Sequence, residues 1–223
     1  MTGSRRSVVF VHGLWMTGFE AAWLGHRIAR RRAATLHRFH YRSVAASLSE
    51  SAAALARFVD ALGGETIDLV GHSLGGVVIL RLLERATPRA PGRAVLLGAP
   101  VQGSRAARGL ARWPGGRGIL GRAIAEAVLE AGPRTRPLGR EVGVIAGTAP
   151  YGLGRLVARL PEPNDGVVLV EETRLAGARD HLELPVNHSG MLFSRAVADQ
   201  AAAFLERGRF EREGETARSR PAG

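Results

Sequence analysis

Ile67-Asp68-Leu69-Val70-Gly71-His72-Ser73-Leu74-Gly75-Gly76 decides the fold, because it runs an apolar strand straight into a glycine-flanked serine and then into a helix. Residues 67–70 read as a strand, and residues 75–85 as the amphipathic helix that leaves the turn. A serine on so sharp a corner is forced into a strained backbone conformation, and side chains at Gly71 and Gly75 would collide with the turn. The corner lifts the hydroxyl above the sheet edge and aims the positive end of the helix at it. The Leu74 N–H then faces a position where an oxyanion would develop. A Gly-x-Ser-x-Gly string arises readily by chance in a chain with 29 glycines. The strand before it and the helix after it are what give it chemical meaning.

Working outward, strand-like and helix-like segments alternate, which predicts an α/β fold with a mostly parallel central sheet and helices on both faces. Residues 7–11 are a continuous apolar run, as expected of a strand buried on both sides. A helix is expected over 18–32, a strand over 37–41, and a helix over 47–62 stopped by Gly63-Gly64. Strands follow at 93–97, 142–146 and 182–186, and a closing helix at 191–207. Residues 1–207 read as a single domain. From Gly208 the chain is charged and poor in apolar residues, so 208–223 reads as a flexible tail. Residues 101–140 are less regular, and two readings stay open there. Trp113, Ile119, Leu120 and Ile124 suit helices packed on the sheet and suit equally the apolar face of a small helical lid.

The remaining site residues follow from what a serine hydroxyl needs. A second oxyanion donor is expected from the loop after the first strand, where Gly13 permits close approach and the Leu14 N–H is the candidate. His12 precedes the serine and reads as loop-shaping rather than as a base. His72 reads as a brace facing away from Ser73. A serine needs an imidazole to take its proton and a carboxylate to fix that imidazole's tautomer. In chain order after Ser73 only His181 and His188 remain. His181 begins or precedes the last strand, whereas His188 lies beyond it in Val186-Asn187-His188-Ser189-Gly190, at the sheet edge where sites gather. His188 is therefore the expected base. Asp165, in Pro161-Glu162-Pro163-Asn164-Asp165-Gly166, is the expected acid, although an Asn-Asp-Gly turn needs no chemistry. Asp180 is expected at the opposite edge, Asp68 in a structural role inside its strand, and Glu162 is the fallback.

Composition narrows the alternatives. The absence of cysteine excludes disulfides, thiolate nucleophiles and Cys-ligated metals. The seven histidines lack any metal-ligand spacing, so metal catalysis is not expected, while a structural calcium site stays open. The formal charge of +11 invites a nucleic-acid reading, but all 31 basic residues are arginine and they are scattered at spacings typical of solvated helix faces. No nucleic-acid partner is expected; transient contact with an anionic membrane surface stays open, as does oligomeric state. The basic start at Arg5-Arg6 leads into an apolar run too short for a signal peptide, and a cytoplasmic protein is expected.

With these residues placed, the chain resembles the lipases and esterases of the α/β-hydrolase superfamily, and is most similar to compact bacterial members with little or no lid. The resemblance rests on Val11-His12-Gly13-Leu14, on the residues from Asp68 to Gly76, on Asn164-Asp165-Gly166-Val167-Val168, and on Asn187-His188-Ser189-Gly190-Met191-Leu192. Leu97-Gly98-Ala99-Pro100-Val101-Gln102-Gly103-Ser104 is similar to a further family segment. The resemblance implies a Ser73–Asp165–His188 triad, oxyanion donors at Leu14 and Leu74, no cofactor, and an acyl-enzyme resolved by water. It implies a small-molecule or lipid ester as substrate. A thioesterase or acyltransferase with the same triad is the alternative, and a non-catalytic binding protein on a hydrolase fold a third. The 101–140 segment is longer than the most compact members need.

Overall fold

A computed structural model describes residues 6–85, 89–129, 138–151 and 160–212. Its centre is one sheet of six strands: β1 (Arg6–Val11), β2 (Thr35–Phe39), β3 (Thr66–His72), β4 (Ala94–Leu97), β5 (Val142–Gly147) and β6 (Asp180–Leu184). They lie in the order β2-β1-β3-β4-β5-β6, and each neighbouring pair is parallel. Parallel strands need crossovers, and α1 (Ala22–Arg31), α2 (Leu48–Leu62), α3 (Leu74–Arg85), α4 (Arg105–Leu110) and α5 (Gly116–Leu129) lie in those joining β1 to β5, while α6 (Arg195–Arg207) follows the last strand. All six carboxyl strand ends therefore share one edge.

The apolar run of β1 divides by strand alternation. Val8 and Phe10 join Leu24 and Ile28 of α1 and Val197, Ala201 and Phe204 of α6 on one face. Val9 and Val11 join Leu55 and Val59 of α2 and Val78 and Leu82 of α3 on the other. Four central strands are thus covered on both sides, and the apolar runs that predicted a buried parallel sheet are accounted for.

α2 starts at a capping box, with Ser47 Oγ accepting the Glu50 N–H at 3.1 Å and the Glu50 carboxylate accepting the Ser47 N–H at 2.7 Å. Asp68 is buried within β3 against Arg32, at 3.1 Å, and accepts the Arg93 N–H at 2.9 Å, so it is structural as expected. Among the described residues no helix is long and apolar enough to cross a membrane.

Several boundaries differ from expectation. β2 covers 35–39 rather than 37–41, because Tyr41 turns out of the sheet to stack on His12 at 4.5 Å. The last strand begins at Asp180 and ends at Leu184, just before Pro185. The closing helix starts at Arg195, capped by Ser194 Oγ, after a separate 3₁₀ turn over Gly190–Phe193.

The expected tail at 208–223 is shortened by the structure. Phe210 is fully buried against Phe204, and Asp180 takes the Phe210 N–H at 2.8 Å and the Arg212 guanidinium at 2.6 Å. One aromatic in a charged stretch was enough to bring the chain back onto the sheet. Residues 213–223 lie outside the described residues, as do 130–137 of the irregular segment. Within the described part of that segment, Leu120 and Ala123 are buried, and Glu126 caps the amino end of α2 by accepting the Leu48 N–H at 2.8 Å.

Candidate active site at the carboxyl edge of the sheet

Ser73 stands between the last residue of β3 and the first of α3, with no intervening loop. Its φ of 55° is left-handed, the strained corner that the flanking glycines predicted. The Ser73 N–H donates to the Leu97 carbonyl at 2.8 Å, which pins the corner to β4. A Cβ on Gly71 would lie 2.7 Å from the Gly76 backbone, and one on Gly75 would enter the Val11 and His12 carbonyls. The glycines are thus set by backbone approach on both sides of the serine. Ser73 is partly exposed, and its Oγ has no hydrogen-bond partner among the described residues. Leu74 opens α3, so its N–H has no intrahelical acceptor.

Asp165 and His188 come together 23 residues apart. His188 Nδ1 donates to Asp165 Oδ2 at 2.7 Å, in a pair of which both members are buried. The other carboxylate oxygen, Oδ1, accepts the N–H groups of Val167 at 2.9 Å and Val168 at 2.7 Å. With Oδ1 committed to the backbone, Oδ2 is left for the imidazole. That bond fixes the proton on Nδ1 and leaves the Nε2 lone pair free. The backbone repeats the pairing, since the His188 N–H donates to the Asp165 carbonyl at 2.9 Å. Gly98, at φ 53°, leaves room for the pair: a Cβ there would lie 3.0 Å from Asp165 Oδ2 and 3.2 Å from His188 Nδ1.

His72 braces this arrangement from beneath. Its Nε2–H donates to the His188 carbonyl at 3.0 Å, and the two rings lie 4.7 Å apart. Complete burial, then the neighbouring His188, push its pKa down to about 3. The sign of the pH effect follows. Below about pH 6.5 the unfolded chain takes a proton that folded His72 refuses until near pH 3. Its stabilising contribution is therefore complete above the ordinary imidazole range and is lost progressively as pH falls toward 3. Burial lowers His12 and His181 in the same direction. Urea midpoints measured from pH 7 to 4 should fall steeply for the parent chain and less steeply for His72→Gln. Equal slopes would contradict this account.

His12 occupies the loop after β1 with both ring nitrogens engaged. Nδ1–H donates to the Gly13 carbonyl at 2.8 Å, and Nε2 accepts the Tyr41 N–H at 3.4 Å. The Tyr41 hydroxyl donates to the His12 carbonyl at 2.9 Å. His12 thus has no free lone pair with which to act as a base, and loop shaping is what its contacts describe. Because a trans peptide sets C=O and N–H on opposite sides, holding the Gly13 carbonyl toward His12 turns the Leu14 N–H the other way. Gly13 itself lies over the serine, where an added Cβ would come within 3.2 Å of Ser73 Cβ.

The other candidates lie elsewhere. Asp180 and His181 open β6, where Asp180 holds the returning chain and His181 Nε2 meets Thr173 Oγ1 at 3.0 Å. Glu162 is exposed. Sequence reading missed Glu172, a buried carboxylate accepting the Leu169 N–H at 3.0 Å and the Arg105 N–H at 2.5 Å. Burial pushes its pKa up. It ties the loop after Asp165 to α4, and its available signal is the acidic pair Glu171-Glu172 that follows the apolar run Val167–Val170.

An alpha/beta hydrolase family model matches residues 8–214, which contain every residue of this cluster. The chain belongs to the alpha/beta hydrolase family. No curated protein matches it. Among solved structures, this hydrolase is similar to the mature Bacillus licheniformis lipase BlEst2, at 18% identity and a TM-score of 0.65, over 85% of this chain and 87% of that one. It is also similar to the Bacillus subtilis carboxylesterase CesB, at 15% identity and a TM-score of 0.57, over 93% and 85%. A third is the RedJ thioesterase of the Streptomyces coelicolor prodiginine pathway, at 14% identity and a TM-score of 0.57, over 91% and 85%. At such identities the likeness is one of fold.

Around the candidate site this hydrolase exposes large apolar groups. Trp15 and Phe19 follow β1, Tyr151 follows β5 and Phe193 follows the His188 loop, and each is more than half exposed. The Arg38 guanidinium lies over the Phe19 ring at 4.3 Å.

Proposed function

We propose that the protein is a serine hydrolase of carboxylic esters, with Ser73 as nucleophile, His188 as general base and then acid, and Asp165 as the group that orients it. The observation carrying this reading is the buried 2.7 Å bond from His188 Nδ1 to an Asp165 carboxylate whose second oxygen is already committed, on the edge that carries the left-handed Ser73. Ser73 Oγ attacks the acyl carbonyl as its proton passes to His188 Nε2. The negative charge moves to the carbonyl oxygen, where the Leu14 and Leu74 N–H groups receive it, reinforced by the amino end of α3. Collapse expels the alcohol, which takes the proton from Nε2. Water then repeats the sequence on the acyl-serine and releases the acid. The ester and one water balance these steps, with each proton passing through His188 Nε2.

The exposed aromatics on this edge favour an ester with an apolar acyl chain. A thioester would pass through the same steps with a thiol leaving, and a competing alcohol acceptor would turn hydrolysis into acyl transfer. The test is a fluorophosphonate probe with peptide mapping, run beside p-nitrophenyl esters of increasing chain length and an acyl thioester. The label is expected on Ser73 and ester turnover is expected to exceed thioester turnover. An unlabelled Ser73, or no ester hydrolysis at any chain length, would sink the reading.

A further inference from the structure

Three non-glycine residues of the described chain have left-handed backbones: Trp15 at φ 57°, Ala33 at 47° and Ser73 at 55°. Ala33 closes the turn after α1 and Ser73 is the corner already described. Trp15 follows Leu14 directly, and a bulky aromatic gains nothing of its own from that conformation. Such strain persists only where surrounding contacts hold it. Burial is not the cause, since the side chain is 58% exposed. Two hydrogen bonds hold it instead. The Trp15 N–H donates to Ser43 Oγ at 3.3 Å, and the indole N–H donates to the Ile119 carbonyl at 3.0 Å.

Ile119 lies in the first turns of α5, just before a break at Gly121, where φ is 75° and ψ is −177°. Beyond the break α5 is anchored, by the Arg122 N–H on the Val44 carbonyl at 3.0 Å and by Glu126 on the amino end of α2. The indole bond thus ties the loop after β1 to a helix anchored on the segment after β2 and on the amino end of α2. Leu14 sits between two held peptides, with His12 gripping the Gly13 carbonyl and Ser43 the Trp15 N–H. Releasing the indole lets Trp15 relax to negative φ, which rotates the Leu14–Trp15 peptide and moves Leu14 with it.

We propose that Trp15 is a positioning residue for the oxyanion side of the site, holding the Leu14 N–H on the acyl carbonyl through its bond to the Ile119 backbone. The proposal rests on the ester-hydrolase reading and on Leu14 as a donor within it. Trp15→Phe keeps the ring and removes the donor. Its kcat on p-nitrophenyl butyrate should fall about ten- to a hundredfold, short of the loss expected when an oxyanion donor is removed outright. KM should change less than about twofold, because the interaction strengthens only as charge develops. Fluorophosphonate labelling of Ser73 should slow by a similar factor, since attack at phosphorus builds the same charge. Ser43→Ala should show a smaller loss of the same kind if Trp15→Phe proves too unstable to assay. Trp23→Phe, a second exposed tryptophan on α1, should behave as the parent.

A Trp15→Phe protein with parental kcat and labelling rate overturns the proposal. So does a raised KM at unchanged kcat, which would make Trp15 a substrate contact, or an equal loss in Trp23→Phe. Failure of the underlying reading looks different. The parent protein itself would then hydrolyse no ester and leave Ser73 unlabelled.

Discussion

Ser73→Ala should lower kcat for p-nitrophenyl esters by about a millionfold, the loss seen when a serine nucleophile is removed from a working triad. The magnitude follows because no other group can take over. The chain has no cysteine. His12 has both ring nitrogens in hydrogen bonds, and burial holds His72 neutral with its Nε2 on the His188 carbonyl. The residual rate should still exceed that of water, since the Leu14 and Leu74 N–H groups would remain to polarise a bound carbonyl. The fold should survive. Alanine meets the same left-handed backbone that serine already accepts, and among the described residues Ser73 Oγ has no hydrogen-bond partner to lose. A melting temperature within a few degrees of the parent, together with the rate loss, is the expected result. Retention of even a tenth of parental turnover would remove Ser73 from the mechanism.

How much of this was legible in the sequence follows from how local each feature is. The corner at Ser73 is encoded within a few residues: an apolar strand, glycines where backbones approach, and an amphipathic helix. It was read with its neighbours. The Asp165–His188 pair spans 23 residues, yet it is reachable because His188 follows the last strand closely and Asp165 lies in the connection between the last two strands. Features that depend on an unrelated segment were out of reach. Nothing near Tyr41 announces that it will leave β2 to stack on His12, and nothing near Trp15 announces Ile119. The start of the expected tail at 208 shifts for the same reason. Its charge argued for solvent, while the burial of Phe210 depends on Phe204 and on Asp180 at the start of a strand the sequence reading began two residues late. The capping box of α2 and Pro185 just past β6 are local signals of the same kind as the Ser73 corner.

Asp165→Asn should lower kcat by about ten-thousandfold while leaving the pair hydrogen-bonded. The direction follows from which oxygen is already committed. Oδ1 receives two backbone N–H groups, from Val167 and Val168, and only an acceptor satisfies them. In asparagine the carbonyl oxygen must therefore keep that position, and the amide nitrogen must replace Oδ2 opposite His188. Two donors then face each other across 2.7 Å unless the imidazole changes tautomer. It changes: Nδ1 becomes the acceptor and the proton moves to Nε2, the atom that has to receive the serine proton. The site remains intact in shape and wrong in protonation, so KM and melting temperature should move little while turnover collapses. Glu162→Gln separates this from a loose requirement for negative charge, because Glu162 lies in the same loop but is exposed and should tolerate the change. Should Glu162→Gln lose activity as Asp165→Asn does, or should Asp165→Asn keep it, the orienting role would pass from Asp165 to its neighbour.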